Sequence, residues 1–187
     1  MKITFLGTGT SQGIPMIANN DPVCLSDNPR DKRLRSSIMI SWNDIRYIVD
    51  CGPDFRQQML RENIQSINGV LFTHEHADHT AGIDDLRPYT YKMGEVPIYA
   101  QERVIENLKV RFSYIFETEN RYAGAPKLTE NTIDSTSFIL HGVQVTPLAV
   151  MHGNLPITGY RFGNVAYITD LKTMSDQEKK KLENLEI

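Results

Sequence analysis

Thr73-His74-Glu75-His76-Ala77-Asp78-His79-Thr80-Ala81-Gly82 is the stretch that decides how this chain reads. It places three of the five histidines within six positions, with carboxylates between them. Neutral imidazole and carboxylate are the kind of ligand that holds zinc, iron or manganese. Just before it, Val70-Leu71-Phe72-Thr73 is short, apolar and β-prone. That run reads as a buried strand, with the ligands on the loop at its C-terminal end. From Thr80 onward the chain is expected to turn helical. A helical zinc-protease box needs two His four apart around a Glu, whereas His74 and His79 are five apart. His74 and His76 have the alternation that lets an extended backbone point two rings the same way. Asp78 and His79 come after a turn and point elsewhere. One loop can therefore serve two neighbouring metal positions, His74 and His76 at one, Asp78 and His79 at the other. The bland alternative is a polar surface loop that happens to be rich in His.

Moving outward, Asp50 ends the strand-like run Tyr47-Ile48-Val49, His152 follows Ala149-Val150-Met151, and Asp170 ends Ala166-Tyr167-Ile168-Thr169. The chain opens with Phe5-Leu6-Gly7-Thr8-Gly9-Thr10. In this order, together with His74-x-His76-x-Asp78-His79, these pieces resemble the metallo-β-lactamase superfamily. They are most similar to its branch holding ribonuclease Z and the cyclic phosphodiesterase of phosphonate utilisation. The resemblance covers almost the whole chain. It implies one domain over residues 1–187, of α+β type with α/β layers, built as a four-layer αββα sandwich. It further implies two divalent metal ions, zinc first and manganese as the alternative. His74, His76 and His152 would hold one, Asp78 and His79 the other, with Asp170 bridging both. Asp78 and Asp50 would belong to the catalytic set, Asp50 by orienting a ligand histidine. The implied activity is a metal-dependent hydrolase, a phosphodiesterase using a metal-bound hydroxide. A thioester or lactam hydrolase of the same fold and a metal-stabilised, non-catalytic binding domain are the rival readings.

Composition narrows the partners. At 187 residues one domain is expected, and 40% hydrophobic with 23% charged residues is globular rather than disordered composition. A net charge of −3 gives no global drive toward nucleic acid or an acidic membrane. No apolar run approaches a membrane span, and Met1-Lys2 leads straight into a strand. Two cysteines, Cys24 and Cys51, do not make a disulfide framework, so the cytoplasm is the expected compartment. Without a long basic or aromatic arm, a large nucleic acid is not expected. A small phosphodiester or nucleotide-like substrate is, and a homo-oligomer stays open.

The rest of the chain fills in around the box. Lys2–Leu6 reads as a strand, and Gly7–Gly13 as a Gly-rich turn that is either a plain tight turn or a phosphate cradle. Arg30, Lys32, Arg33 and Arg35 form a basic cluster, either solvated or steering phosphate. Cys24, with only Asn19, Asn20 and Asp21 nearby in sequence, makes a poor extra zinc site. Residues 37–42 and 45–49 form a hairpin around Asn43-Asp44. Asp50 orients a histidine or serves the turn before Pro53. Phe55, Met59 and Ile64 give a partly helical spacing, and Cys51 reads as a core residue. Asp84 and Asp85 are either acids of a first helical turn or partners of a ligand histidine. Val96–Ala100 reads as a strand, and Val104, Leu108 and Phe112 mark a helix over about 101–116. The aromatic stretch from Phe112 to Tyr122 reads as core packing first and a substrate-facing wall second. Strands are expected at 137–140, 143–146, 149–151, 157–162 and 165–169, with His141 at a hairpin tip. Ser175-Asp176-Gln177-Glu178 has capping-box form and starts a charged helix.

The resemblance also implies one more histidine downstream of Asp170, completing the second position, yet none follows His152. The expectation is a shortened form of a longer protein lacking its last elements, or a gap covered by another chain, with the first metal held more firmly than the second and slow hydrolysis by this chain alone.

Overall fold

The computed structural model describes residues 1–187. In chain order its elements are β1 (Lys2–Gly7), α1 (Pro22–Leu25), β2 (Ser37–Trp42), β3 (Ile45–Val49), α2 (Phe55–Arg61), β4 (Gly69–Leu71) and α3 (Ala77–Thr80). Then come α4 (Arg87–Met93), β5 (Val96–Ala100), α5 (Glu102–Arg111), α6 (Ser113–Phe116) and β6 (Leu128–Thr132). The chain continues through β7 (Phe138–Leu140), β8 (Val143–His152), β9 (Leu155–Phe162), β10 (Val165–Tyr167) and α7 (Asp176–Lys180). Six strands form one sheet in the order β1-β2-β3-β4-β5-β6, and four form the other in the order β10-β9-β8-β7. The first sheet is antiparallel through β3 and parallel from β3 to β6. The second is antiparallel throughout.

The alternation of side chains along the central strands produces two cores. Met39, Ile48, Val70 and Ile98 face a helical layer made by Phe55 and Met59 of α2 and Val104, Ile105 and Leu108 of α5. Their neighbours Ile38, Ile40, Tyr47, Val49 and Leu71 face the second sheet and meet Val145, Tyr160 and Phe162. A strand buried on both faces reads as an unbroken apolar run. Each such side chain, fully buried, contributes about 1.5–3 kcal/mol. The outer face of the second sheet carries α7, whose Glu178 Oε2 accepts from Ala149 N at 2.9 Å. Helices, two facing sheets and α7 give the layered α/β sandwich that the sequence predicts.

Several local expectations need correction. The runs 143–146 and 149–151 are one strand, because β9 pairs with β8 over eight positions, through Pro147. Cross-strand pairing overrides the local break that proline suggests. The helix expected over 101–116 is broken at Phe112, whose φ of −125° and ψ of 42° let Phe112, Tyr114 and Phe116 turn onto the helical core. Strand β6 has the sequence LTENT, too polar for its pattern to be read, and it pairs with β5 at the sheet's edge. Helical backbone starts inside the His box, at Ala77, rather than at Thr80. Asp84 and Asp85 lie in a 3-10 turn, Ile83–Leu86, and Pro88 opens α4 just after it. Asp84 binds Arg87 and Tyr114 rather than any histidine. Ser175 caps α7 as the capping box predicts, accepting from Glu178 N.

Candidate metal centre

Most proposed ligands sit where a strand ends or in the loop beyond it, whereas Asp78 and His79 lie in the short helix α3. β4 delivers Phe72 and Thr73 into the box, His74 follows in the loop, and His76, at φ −57° and ψ 149°, sits at the N-terminal boundary of α3. His152 is the last residue of β8, opposite Leu155 across a Gly153-Asn154 turn. Asp50 follows β3 and Asp170 lies beyond β10, both with left-handed backbone, φ 66° and φ 51°. The 50–52 turn is pressed against the box. Cys51 N donates to His79 O at 2.8 Å, and Gly82 N donates to Cys51 O at 2.9 Å. A Cβ on Gly52 would lie 1.9 Å from Asp78 O, so only glycine permits this approach.

Within this frame the ligand atoms of His74, His76 and His152 lie within 4.8 Å of one another, and so do those of His74, His79 and Asp170. His74 Nε2 is 3.0 Å from His76 Nδ1. His79 Nε2 is 2.8 Å from Asp170 Oδ2 and 3.2 Å from Asp78 Oδ2. Asp170 Oδ2 is also 3.9 Å from His74 Nε2, which puts this carboxylate between the two groups.

The fully buried Asp50 organises both groups from behind. Its Oδ2 is 2.7 Å from His79 Nδ1, and it accepts from Thr73 N at 2.8 Å and from Thr73 Oγ1 at 2.9 Å. Thr73 Oγ1 is in turn 2.9 Å from His74 Nδ1. One proton arrangement satisfies every group. His79 Nδ1–H donates to Asp50, His74 Nδ1–H donates to Thr73 Oγ1, and the Thr73 hydroxyl donates to Asp50. His74 then turns an unprotonated Nε2 inward; His79 Nε2, facing Asp170 and Asp78, keeps a proton that a metal ion would have to displace. Asp50 is fully buried, so it lies behind these side chains and not at the surface of the cleft.

The electrostatics favour a cation. Burial, then the neighbouring His79 and His76, lower the His74 pKa to about 3, so this ring is neutral. Burial alone would also lower His79. The charge of Asp50 and hydrogen bonds to Asp170, Asp50 and Asp78 outweigh it and push His79 up to about 12. The hydrogen bond from His79 holds Asp78 down at about 2, and Asp170 is lowered for the same reason. Three carboxylates thus force a proton onto a buried imidazole, the signature of a site that calls for positive charge. At the other group the ring nitrogens of His74 and His76 approach to 3.0 Å. Three imidazoles beside carboxylates make a donor set suited to zinc.

The residues not foreseen are those that hold the loop. Thr73 stands next to the box and was visible as a hydroxyl at the strand end. Arg33 donates to Thr8 Oγ1 and Arg35 to Ser11 O, so half of the basic cluster ties down the Gly-rich loop. That loop lines one cleft of about 480 Å³ with the candidate ligands: Thr8, Gly9, Thr10 and Ser11 face His76, Asp78, His152 and Asp170. His141 stays apart, at the β7–β8 turn, where its Nδ1 is 3.0 Å from Tyr47 OH. Cys24 and Cys51 are free and buried. No helix is long and apolar enough to cross a membrane.

Two facing sheets, flanked by helices and gathering histidines and acids at their strand ends, define a class of metal-site sandwich. Residues 45–187 match the family described as the beta-lactamase superfamily domain. A solved structure described as a new diphosphatase from the PhnP family is 38% identical, with a TM-score of 0.89 over 98% of this chain and 70% of that one. The octanoyltransferase of Porphyromonas gingivalis is 41% identical over 181 residues, which are 95% of this chain and 36% of that protein. The ribonuclease Z of Methanococcus maripaludis is 27% identical over 174 residues, 88% of this chain and 49% of that protein. The chain belongs to the metallo-β-lactamase superfamily, in the branch of ribonuclease Z and PhnP. It spans between about a third and a half of the length of these two curated relatives.

Proposed function

We propose that this chain is a metal-dependent hydrolase that cleaves a small phosphodiester. The observation that carries the reading is the lining of the cleft. Threonine and serine hydroxyls, imidazoles and carboxylates surround it, with no hydrophobic side chain. Hydroxyl donors suit phosphate oxygens, whereas an acyl chain or a lactam ring needs apolar wall. Divalent cations held by His74, His76 and His152 and by Asp78, His79 and Asp170 would supply Lewis acidity toward a phosphoryl oxygen and acidify a water.

The chain's own residues do the rest. Thr8, Thr10 and Ser11 offer hydroxyls to the non-reacting oxygens, and Arg33 behind Thr8 adds a positive charge. Asp78, ionised and open to the cleft, accepts a hydrogen bond from the attacking water and orients it. Water adds at phosphorus, the bond to the leaving oxygen breaks, and the proton passes to that oxygen. Asp50 and Thr73 keep His79 and His74 in the required tautomers. The likeness to ribonuclease Z and to a PhnP-family diphosphatase supports phosphoryl chemistry. A net charge of −3 favours a small substrate over a polynucleotide.

The octanoyltransferase name is the one observation that favours acyl transfer. Most of that protein lies outside the match, and the cleft here has no apolar groove for an octanoyl chain. The test loads the purified protein with zinc or manganese. It compares bis(p-nitrophenyl) phosphate and a cyclic nucleotide phosphate with a thioester and a lactam. The phosphodiesters are expected to turn over fastest, and Asp78→Ala to lower that rate by about a hundredfold or more. Faster thioester hydrolysis would overturn the substrate reading. Metal-bound protein with no turnover of any of them would leave a binding domain.

A further inference from the structure

We propose that Arg103 is a positioning residue for the metal position built on His74, His76 and His152, a role that rests on the metal reading above but not on its substrate. These three ligands come from separate parts of the fold. His74 and His76 follow β4 of the first sheet, and His152 ends β8 of the second. Their spacing depends on how the His-box loop is seated against the β8–β9 hairpin.

Arg103 joins those two parts. It stands in the first turn of α5, with Val104, Ile105 and Leu108 anchoring that helix in the core. Its Nη1 donates to the carboxylate of Glu75, the residue between His74 and His76. Its Nη2 donates to Pro156 O at 2.6 Å. Pro156 pairs with Met151, and the next pair along the same hairpin is His152 with Leu155. One planar guanidinium therefore touches the stem of both halves of the site, a geometry that its fixed fork allows and an ammonium does not.

The surroundings give this contact weight. Glu75 Oε2 is buried with no hydrogen-bond partner, and the contact of Arg103 with Oε1 is this carboxylate's one salt bridge. From the other end of α5, Arg111 donates to Glu75 O at 2.7 Å and to Thr80 Oγ1 at 2.9 Å, and Thr80 donates to His76 O at 2.9 Å. The Arg111 contacts fix the loop to α5 alone. Two further ties cross between the sheets here, Thr158 N to Thr73 O and Tyr160 OH to Phe72 O, both before His74. Arg103 fixes the loop between its two histidines and sets it against the strand of the third.

The test uses the full chain and cobalt(II) as probe. Wild type, Arg103→Gln and Arg103→Lys are compared by chelator-competition affinity for the tighter ion, by the visible cobalt spectrum and by the melting temperature of metal-free protein. Arg103→Gln is expected to weaken the tighter ion about ten- to a hundredfold and to change the spectrum, with partial recovery in Arg103→Lys. If Arg103→Gln does not fold, Arg103→Lys decides alone, a weaker ion with a changed spectrum being the expected result. Unchanged affinity and spectrum, with only a lower melting temperature, would make Arg103 a staple of the fold and overturn the proposal. Wild type that takes up no cobalt would overturn the metal reading as well, so the two failures are told apart.

Discussion

His74, His76 and His152 meet as three imidazoles drawn from two sheets, whereas Asp78, His79 and Asp170 meet as one imidazole among acids. The contrast is one of charge as much as of ligand type. The first group holds His74 neutral by burial and by its histidine neighbours, so a lone pair is ready. The second group keeps a proton on His79 because Asp50, Asp78 and Asp170 surround it. A cation entering the first position meets the neutral ring of His74; one entering the second must displace a proton from His79. Two neighbouring positions served by a single loop can thus differ in affinity and in pH response. Asp50 is common to both, directly through His79 and by way of Thr73 to His74.

The largest effect should come from the group that lies between them. Asp170→Asn is expected to reduce metal content at both positions and to lower phosphodiester turnover by about 10²–10³-fold, a loss on the scale of a key electrostatic group. Metal analysis and steady-state rates would check it, and an unaffected first position would break the idea of a shared carboxylate. Zinc titration of metal-free protein should resolve two classes of site. The imidazole-rich one is expected to be tighter by roughly tenfold or more, the weight of a supporting interaction at a metal. Equal affinities would erase the distinction drawn above.

Thr73→Val cuts the route from Asp50 to His74 and spares the contact with His79. It should weaken the first position by about tenfold and leave the second nearly unchanged. It should also cost roughly 1–3 kcal/mol of stability by leaving Asp50 short of a donor. Denaturant unfolding and competition titration would separate the two losses. The smallest effect is a proton count. Filling the first position releases no proton from His74, while filling the second releases one from His79. Raising the pH above neutrality should therefore strengthen the second, which calorimetry in buffers of different ionisation enthalpy would read. The sign for metal-free protein follows from the raised His79 value. Its contribution to stability is complete below the ordinary histidine value of about 6.5 and is lost as the pH climbs toward about 12. A metal-free melting temperature that rose with pH above neutrality would contradict this.

The candidate site was legible in the sequence as a cluster because its residues are dense or closely punctuated. His74, His76, Asp78 and His79 fall in one short run, and Asp50, His152 and Asp170 each close a β-prone run. The central strands were legible because burial on both faces leaves no polar interruption. What escaped had no local signature. β6 is polar because it lies at the sheet edge, and Pro147 hides a strand that only its partner β9 makes continuous. Arg103 stands in a helix whose periodicity reports the core face and says nothing of what the other residues reach.

The left-handed backbone at Asp50 and Asp170 has a consequence for engineering. A residue with a Cβ in that conformation costs roughly 1 kcal/mol or more, and glycine relieves it. At Asp170, half open to solvent, a glycine would remove little packing and ease the chain, so a screen for heat resistance alone would be drawn to it. The same change deletes the carboxylate between the two metal positions. Thermal selection and retention of chemistry pull in opposite directions at that residue. A library meant to harden this protein should hold Asp170 fixed and seek its gains among the exposed loops instead.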